Sequence, residues 1–320
     1  MNNKNILEIL ILTRNHEQFI EKCIRSVLEQ ECSYTFGIIV LDDNSTDNTF
    51  AILNGIRSLS PANITLIQNP ENSGVIKSAS SISKLASAKY ICFMDGDDQW
   101  CYPKKIQTQL DFLEQNPDFA GTFHDAYIHH HYETRDAEFL KQTQNEWKTY
   151  SQFNRYREIF MPWDLINRNI IPTASLIFRY TDHIVRYINN FKLDVYSLSW
   201  AIHLEIIKNS RFKYFNEPWS IYNDHPLGIS KKHDLVEFKQ NNIKILEDLL
   251  NDEGYIFYKS DICRSICREF FFMLKSRKAL EMDKSRYFKL VKTYKKYLKR
   301  SIQFDIEQLT MDFNHVWSDR

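Results

Sequence analysis

Three short stretches of this chain carry the side chains that can do chemistry. They are Thr13, Arg14 and Asn15; Asp42, Asp43, Asn44, Ser45, Thr46 and Asp47; and Asp95, Gly96, Asp97 and Asp98. Carboxylates gathered in one crevice repel one another, so such a site must be supplied with a cation or a set of hydrogen-bond donors. A hard divalent ion held by few carboxylates suits a diphosphate, because Mg²⁺ keeps several water or phosphate ligands. Taken alone, Asp42 to Asp47 reads as an Asx-type turn and helix cap. It also mimics the start of a calcium loop, with Asp43, Ser45 and Asp47 at alternate positions. That pattern fails, because Asn48 and Asn54 stand where such a loop needs a Gly and a bidentate Glu.

The stretches are useful only if regular elements bring them together, and each one follows an apolar run. Ile6 to Leu12, Ile38 to Leu41, Ile64 to Ile67 and Tyr90 to Met94 read as buried strands. Between them, Phe19, Ile20, Cys23, Ile24, Val27 and Leu28 recur at helical spacing, as do Phe50, Leu53 and Ile56 on a helix that Asp47 is placed to cap. A third helix is expected from about Val75 to Ala88. The alternation predicts a doubly wound α/β domain with a parallel sheet, whose ligands bind beyond the carboxyl ends of the strands at a topological switch point. Pro103 is placed to begin a helix bearing Ile106, Leu110 and Leu113, which Asn116 and Pro117 stop. From His124 to Tyr156 the chain is polar, aromatic and His-rich, and reads as loops and short elements over a binding face. From about Leu235 onward helical periodicity dominates, with Ile243, Leu246, Leu249 and Leu250 in one stretch and Ile262, Ile266, Phe270 and Leu274 in another.

At 320 residues the chain has room for a full core and an appendage. Lys plus Arg and Asp plus Glu each count 41, so nothing global favours nucleic acid. The six cysteines show no CxxC pair, and no His lies at zinc-ligand spacing, which argues against a disulfide scaffold or a zinc site. No apolar run approaches the roughly 18 residues a membrane span needs, and Ile6 to Leu12 is too short for a signal-peptide core. A cytoplasmic location is the expectation.

In order and spacing, the segments Thr13 to Gln30 (TRNHEQFIEKCIRSVLEQ), Val40 to Thr49 (VLDDNSTDNT), Glu71 to Val75 (ENSGV) and Tyr90 to Trp100 (YICFMDGDDQW) resemble the inverting glycosyltransferase family 2. The resemblance implies a GT-A fold, a Rossmann-like nucleotide-diphospho-sugar transferase domain, with a C-terminal helical appendage. It divides the chain into a donor half at 1–125, an acceptor half at 126–234 and a helical region at 235–320. It implies that Thr13, Asn15 and Asp43 contact the nucleotide, that Asp95 lies near the ribose, and that Asp97 with Asp98 holds Mn²⁺ or Mg²⁺ on the diphosphate. His225 would close over the diphosphate or metal. The general base that inversion requires would be Asp194, in FKLDVYSLSWAIHLEI, with Glu205 as the second choice. As a sequence feature Asp194 also fits a helix N-cap. Thr173, Ser175 and Arg179 are second-rank site candidates.

The chain departs from the family pattern in several places. Leu12 and Arg14 replace the usual Pro and Tyr, Ala79 and Ser80 replace an Arg-Asn pair, and Leu193 replaces a Gly before Asp194. Lys77 is the candidate to restore the lost cation. The implied partners are a nucleoside-diphosphate sugar, most simply a UDP-sugar, and a glycan or lipid-linked acceptor, in a setting such as bacterial surface polysaccharide synthesis. Three other readings compete. An aspartyl phosphatase would have small residues where Asp98 and Gln99 stand. A nucleotidyltransferase would have a Gly-rich loop after the first strand, and Thr13 to Gln18 contains no Gly. A non-catalytic sugar-nucleotide or glycan-binding protein would not need an intact DGDD.

Between Lys259 and Arg300 basic residues outnumber acidic ones and are interleaved with Phe270, Phe271, Phe272, Tyr287, Phe288, Tyr294 and Tyr297. Such a surface fits peripheral attachment to the anionic inner face of the plasma membrane. It fits equally well helices packed on the catalytic domain or on a second subunit of a homo-oligomer.

Overall fold

Five consecutive buried residues, Leu7 to Ile11, make the first apolar run a strand covered on both faces, as a central parallel strand must be. In the computed structural model, which describes residues 5–60, 64–131, 149, 157–226, 228, 231, 234–276, 279 and 281–318, this strand is β1 (Leu7–Thr13). It is followed by β2 (Phe36–Asp42), β3 (Ile64–Gln68) and β4 (Tyr90–Asp95), all parallel. The helices between them are α1 (Ile20–Leu28), α2 (Thr49–Leu59) and α3 (Val75–Ser83). α1 turns Ile20, Cys23, Ile24 and Val27 inward at helical spacing to pack on Leu7, Ile9 and Ile11. Each such fully buried aliphatic contributes about 1.5–3 kcal/mol, so this layer is a rigid platform for the loops above it.

The remaining strands of the sheet are β5 (Gln99–Trp100), β6 (Gly121–His130), β7 (Ile159–Phe160), β8 (Ile177–Arg179) and β9 (Phe212–Asp224). Their order is β3-β2-β1-β4-β8-β6-β9-β5, with β7 on β9. β8 runs antiparallel to β4, pairing Arg179 with Tyr90. The chain steps outward from β1 to β2 and β3, then returns to the other side of β1 as β4. The loops after β1 and β4 therefore part at their carboxyl ends, which is the predicted switch point.

Contacts divide the chain into two units. The first is Met1–Met161, Ile170–Lys192 and Glu205–Pro226; the second is Pro162–Asn169, Leu193–Leu204 and Leu227–Arg320. The first holds the whole sheet together with α4 (Lys105–Gln115) and α6 (Asp182–Asn189). The second holds α5 (Pro162–Asn167), the first part of α7 (Leu198–Ile207), α8 (Leu235–Leu249), a 3-10 turn at Glu253–Tyr258, α9 (Lys259–Leu274) and α10 (Lys284–Ser318). Asp234 caps α8 in a capping box with Glu237. Within this unit the Ser265 hydroxyl donates to the Ile166 carbonyl at 2.8 Å, and the Tyr255 hydroxyl to the Leu204 carbonyl at 2.6 Å. The basic, aromatic stretch splits in two. Phe270 and Tyr297 are buried against each other, whereas Phe271, Phe272 and Phe288 are exposed. Among the described residues no helix is long and apolar enough to cross a membrane.

The structure corrects several local expectations. His124 to His130 is not loop but the continuation of β6, buried through Ala126. Its polar His124 and Asp125 erase the apolar signature of a strand, and irregular pairing with β9 at those residues absorbs them. Residues 132–148 and 150–156 of that predicted loop region lie outside the described residues. α3 ends at Ser83 rather than near Ala88, and α4 starts at Lys105 with Pro103 in the preceding turn.

Candidate active site

At the carboxyl edge of the sheet, the loops after β1 and β2 are stapled to each other by the polar residues that mark them in sequence. Asn15 adopts a left-handed conformation (φ 57°), as does Asn44 (φ 56°), a region that Asn tolerates better than most residues. The Asn15 side-chain oxygen accepts the Thr46 N–H at 2.8 Å, and the Asn15 N–H donates to the Ser45 hydroxyl at 2.9 Å. The His16 N–H donates to the Thr49 hydroxyl at 2.8 Å, and the Glu17 N–H to the Asp47 carboxylate at 3.1 Å. Asp42 accepts from the Ser45 N–H at 3.0 Å and from Gln68 at 3.0 Å. Asn15 and Asp42 thus act on protein groups, holding the two loops at fixed separation.

Asp43 faces the start of α3. Its carboxylate accepts from Asn69 Nδ2 at 2.7 Å, the Ser73 N–H at 2.8 Å and the Gly74 N–H at 2.8 Å. Gly74 reaches this position with φ 81°, where a side chain would be strained. Burial pushes the Asp43 carboxyl up, and the bonds from Asn69, Ser73, Gly74 and Ser78 outweigh it and hold it below the ordinary carboxylate range.

The turn after β4 carries the acidic cluster. Gly96 is required here, because a β-carbon would stand 2.5 Å from Thr13 Oγ1 and 3.0 Å from His16 Nδ1. Thr13, buried at the end of β1, lies 3.2 Å from His16 Nδ1 through its hydroxyl. Asp97 Oδ2 is 2.9 Å from His225 Nε2 and 3.7 Å from His16 Nε2. The donor atoms of His16, Asp97 and His225 all lie within 4.8 Å of one another. Asn223, at the end of β9, donates its side-chain amide to the Asp97 carbonyl at 2.6 Å and so ties the turn to the strand that delivers His225.

Burial and then the Asp97 charge push the Asp95 carboxyl up to about 7, against the hydrogen bond from Thr173. Burial likewise acts to raise Asp97, but the His225 bond and the nearby His16 and His225 charges override it and hold that carboxyl low. Asp98 is driven well up by burial, then by Asp97 and Asp95. Three carboxylates in one buried turn are thus balanced only in part by protein groups, and the donor set fits a divalent cation. Asp98, expected beside Asp97 as a metal ligand, does not join the cluster. It is 4% exposed and accepts the Asn223 N–H, with Oδ1 left without a partner.

The other candidates are distributed unevenly. Thr173 reaches Asp95. Ser175 is buried and donates to the Pro172 carbonyl at 2.7 Å, a structural role. Lys77 is exposed on α3, next to Ser78, which contacts Asn69 at 3.1 Å. Ala79 is buried in the core, and the Ser80 hydroxyl donates to Asn189 at 2.9 Å, so the departures from the family's Arg-Asn pair are absorbed by packing.

Arg179 and Glu205 are not at this edge. Arg179 pairs with Tyr90, the first residue of β4, and donates to the Tyr90 hydroxyl at 2.8 Å and the Phe119 carbonyl at 2.9 Å. With about 3.3 Å per strand residue, the Tyr90 end of β4 is roughly 16 Å from Asp95. Glu205 shares that amino-edge cleft with Arg179, bonded to His183 and to Lys208 at 2.9 Å. The second choice of base is therefore removed from the acidic turn by the length of a strand.

Asp194 belongs to the second unit. It is exposed, its carbonyl accepts from Lys244 Nζ at 3.0 Å, and α7 begins only at Leu198, so Asp194 does not cap it. Sequence reasoning missed His16, although it lies inside the quoted Thr13 to Gln30 segment. The available signal was a His three residues beyond a strand-ending Thr.

A family model described as Glycosyl transferase family 2 matches residues 8–183. The uncharacterized protein Rv1520 of Mycobacterium tuberculosis is 23% identical over 223 residues, 70% of this chain and 60% of its own length. Escherichia coli WfaP, named as a UDP-Glc:α-D-GlcNAc-diphosphoundecaprenol β-1,3-glucosyltransferase, is 33% identical over 109 residues, 34% of this chain and 41% of its own. The chain thus spans about three fifths or less of these relatives' length. The crystal structure of S. aureus TarS 1-349 in complex with UDP-GlcNAc is similar in fold, with a TM-score of 0.69 at 15% identity, over 93% of this chain and 83% of that one.

Proposed function

We propose, from the premise that this chain belongs to glycosyl transferase family 2, that it is an inverting, metal-dependent glycosyltransferase. It would move a sugar from a nucleoside diphosphate, UDP first, to a hydroxyl of a glycan or lipid-linked glycan. The observation that carries this reading is the convergence of Asp97, His225 and His16 at the β1/β4 switch point beside Asp95. A sheet of this kind binds its ligand there, and the residues present need a cation. The name of WfaP supports a diphosphate-linked lipid acceptor and a place in surface polysaccharide synthesis.

Residues 1–125 would bind the donor, 126–234 the acceptor. Asp43, held in place by bonds from Asn69, Ser73, Gly74 and Ser78, would accept an imino N–H of the base, which uracil, thymine and guanine offer and cytosine lacks. Thr13 would lie against the same base, and Asn15 would act by shaping the loop. Asp95 would take a ribose hydroxyl, while Lys77 would approach the phosphates from α3. Asp97 and His225 would hold Mn²⁺ or Mg²⁺, which when bound supplies positive charge to the departing diphosphate. Asp194 would take the proton from the acceptor hydroxyl. In α10 the segment 284–300 holds Lys284, Arg286, Lys289, Lys292, Lys295, Lys296, Lys299 and Arg300 and no acid, which supports peripheral docking on an anionic membrane.

Thermal-shift titration with UDP, GDP, dTDP and CDP, each with and without Mn²⁺, tests the donor side. A metal-dependent rise with UDP and none with CDP is expected; equal response to CDP removes the Asp43 role, and no response to any nucleotide removes the reading. On the acceptor side, Asp194→Asn should keep donor affinity and lose about a hundredfold or more in turnover. Undiminished turnover would move the base elsewhere.

A further inference from the structure

Resting on the reading of the acidic turn as a metal–diphosphate site, we infer that His16 is a third protein ligand of the metal. The centre would then consist of two imidazoles and one carboxylate, and the protein would select Mn²⁺ over Mg²⁺. Ligand atoms about 2.1 Å from one ion stand roughly 3–3.5 Å apart. His225 Nε2 and His16 Nε2 lie 2.9 and 3.7 Å from the same Asp97 oxygen. The longer distance is beyond hydrogen-bond range, yet close to the spacing of two groups that share an ion.

His16 is also prepared for this task. Its Nδ1 faces the Thr13 hydroxyl at 3.2 Å, the outer-shell contact that fixes the tautomer of a ligating imidazole and presents Nε2 to the metal. Its backbone is held at both ends. The N–H donates to Thr49 at 2.8 Å, and the carbonyl accepts from Phe19 and Ile20 at 2.9 and 2.8 Å. Gly96 clears the space, since any β-carbon there would meet both Thr13 and His16. Phe19 lies against the His225 ring at 4.8 Å between centroids, which restrains the opposite imidazole.

The preference for metal follows from the donor atoms. Mg²⁺ is a hard ion that takes oxygen ligands and is bound through carboxylates and phosphates. Imidazole nitrogen suits the later first-row ions, and two histidines with one carboxylate form a three-ligand set typical of them. A site of carboxylates alone would show no such bias.

The test uses the full chain with Mn²⁺ and follows the bound ion by pulsed electron paramagnetic resonance, which reads nitrogen ligands directly. Wild type should show modulation from two imidazoles, His16→Gln from one, and His225→Gln from the other. Mg²⁺ should displace Mn²⁺ from wild type only in large excess, and the required excess should fall on the order of tenfold or more in His16→Gln. Thr13→Val should retain both nitrogen signals while weakening Mn²⁺ binding by about tenfold, which shows the outer-shell contact without loss of the ligand. An unchanged nitrogen pattern in a His16→Gln protein whose circular dichroism is native overturns the inference, as does equal competition by Mg²⁺ in wild type. The two readings fail separately. A Mn²⁺-dependent UDP shift with no His16 nitrogen sinks the ligand assignment and leaves the transferase. Two imidazole signals without any nucleotide response support the metal centre and sink the transferase.

Discussion

The two edges of the central sheet each present a buried carboxylate with histidine beside it, and they are built for opposite ends. At the amino edge Glu205, 5% exposed, is met by His183 and by Lys208 at 2.9 Å, and Arg179 is spent on the Tyr90 hydroxyl and backbone carbonyls. Among the described residues the Glu205 carboxylate is thus met there by protein groups. At the carboxyl edge three carboxylates share one turn, and the groups that approach Asp97 are imidazoles, which donate lone pairs to a metal as readily as hydrogen bonds to an acid. Residue type alone does not separate these sites; the balance of fixed charge around the carboxylate does.

The sharpest way to break the comparison is to remove the carboxylate that the histidines converge on. Asp97→Ala should abolish the metal-dependent nucleotide shift and cut turnover by at least about a thousandfold; retention of either would deny the carboxyl edge its role. Next in size is Gly96→Ala, whose new methyl must displace Thr13 or His16. A loss of about 3 kcal/mol in denaturant unfolding with weakened Mn²⁺ binding is expected, whereas an unaltered Mn²⁺ affinity would mean that this close approach is incidental.

Glu205→Gln probes the amino edge. It should cost about 1–2 kcal/mol of stability, as a buried partner set is weakened, and leave turnover unchanged. A collapse of turnover at full stability would return Glu205 to candidacy as the base.

The smallest effect is a pH dependence at Asp43, where hydrogen bonds outweigh burial and depress the folded carboxyl below 3.8. A depressed folded pKa contributes stability that is present above the unfolded value and lost as pH falls through the folded one. The unfolding free energies of wild type and Asp43→Asn should therefore differ by a constant amount above about pH 5 and converge as pH falls below 3.8. A gap that widens on acidification would contradict the assignment.

The sequence by itself determined the parallel half of the sheet and the addresses of its polar loops. Runs such as Leu7 to Ile11 and Tyr90 to Met94 can be satisfied only as strands buried on both faces, and each ends abruptly in Asp, Asn or Thr. It could not show β6 continuing past Phe123, because His124 and Asp125 are polar residues buried inside a strand, bonded locally to the Asp125 carbonyl and the Ala126 N–H where the pairing with β9 is irregular. Tertiary structure alone decided that Glu205 and Arg179 sit a strand's length from Asp95, since the antiparallel pairing of β8 with β4 sets that. The acidic turn was legible, and the family resemblance pointed to His225, but His16 was not. His16 and His225 are 81 and 128 positions from Asp97 along the chain, and their convergence depends on two chain reversals, a left-handed Asn15 and a glycine without a β-carbon at 96. Spacing along a sequence reports which groups share one helix or strand; which groups share one ion is settled by the packing of the whole sheet.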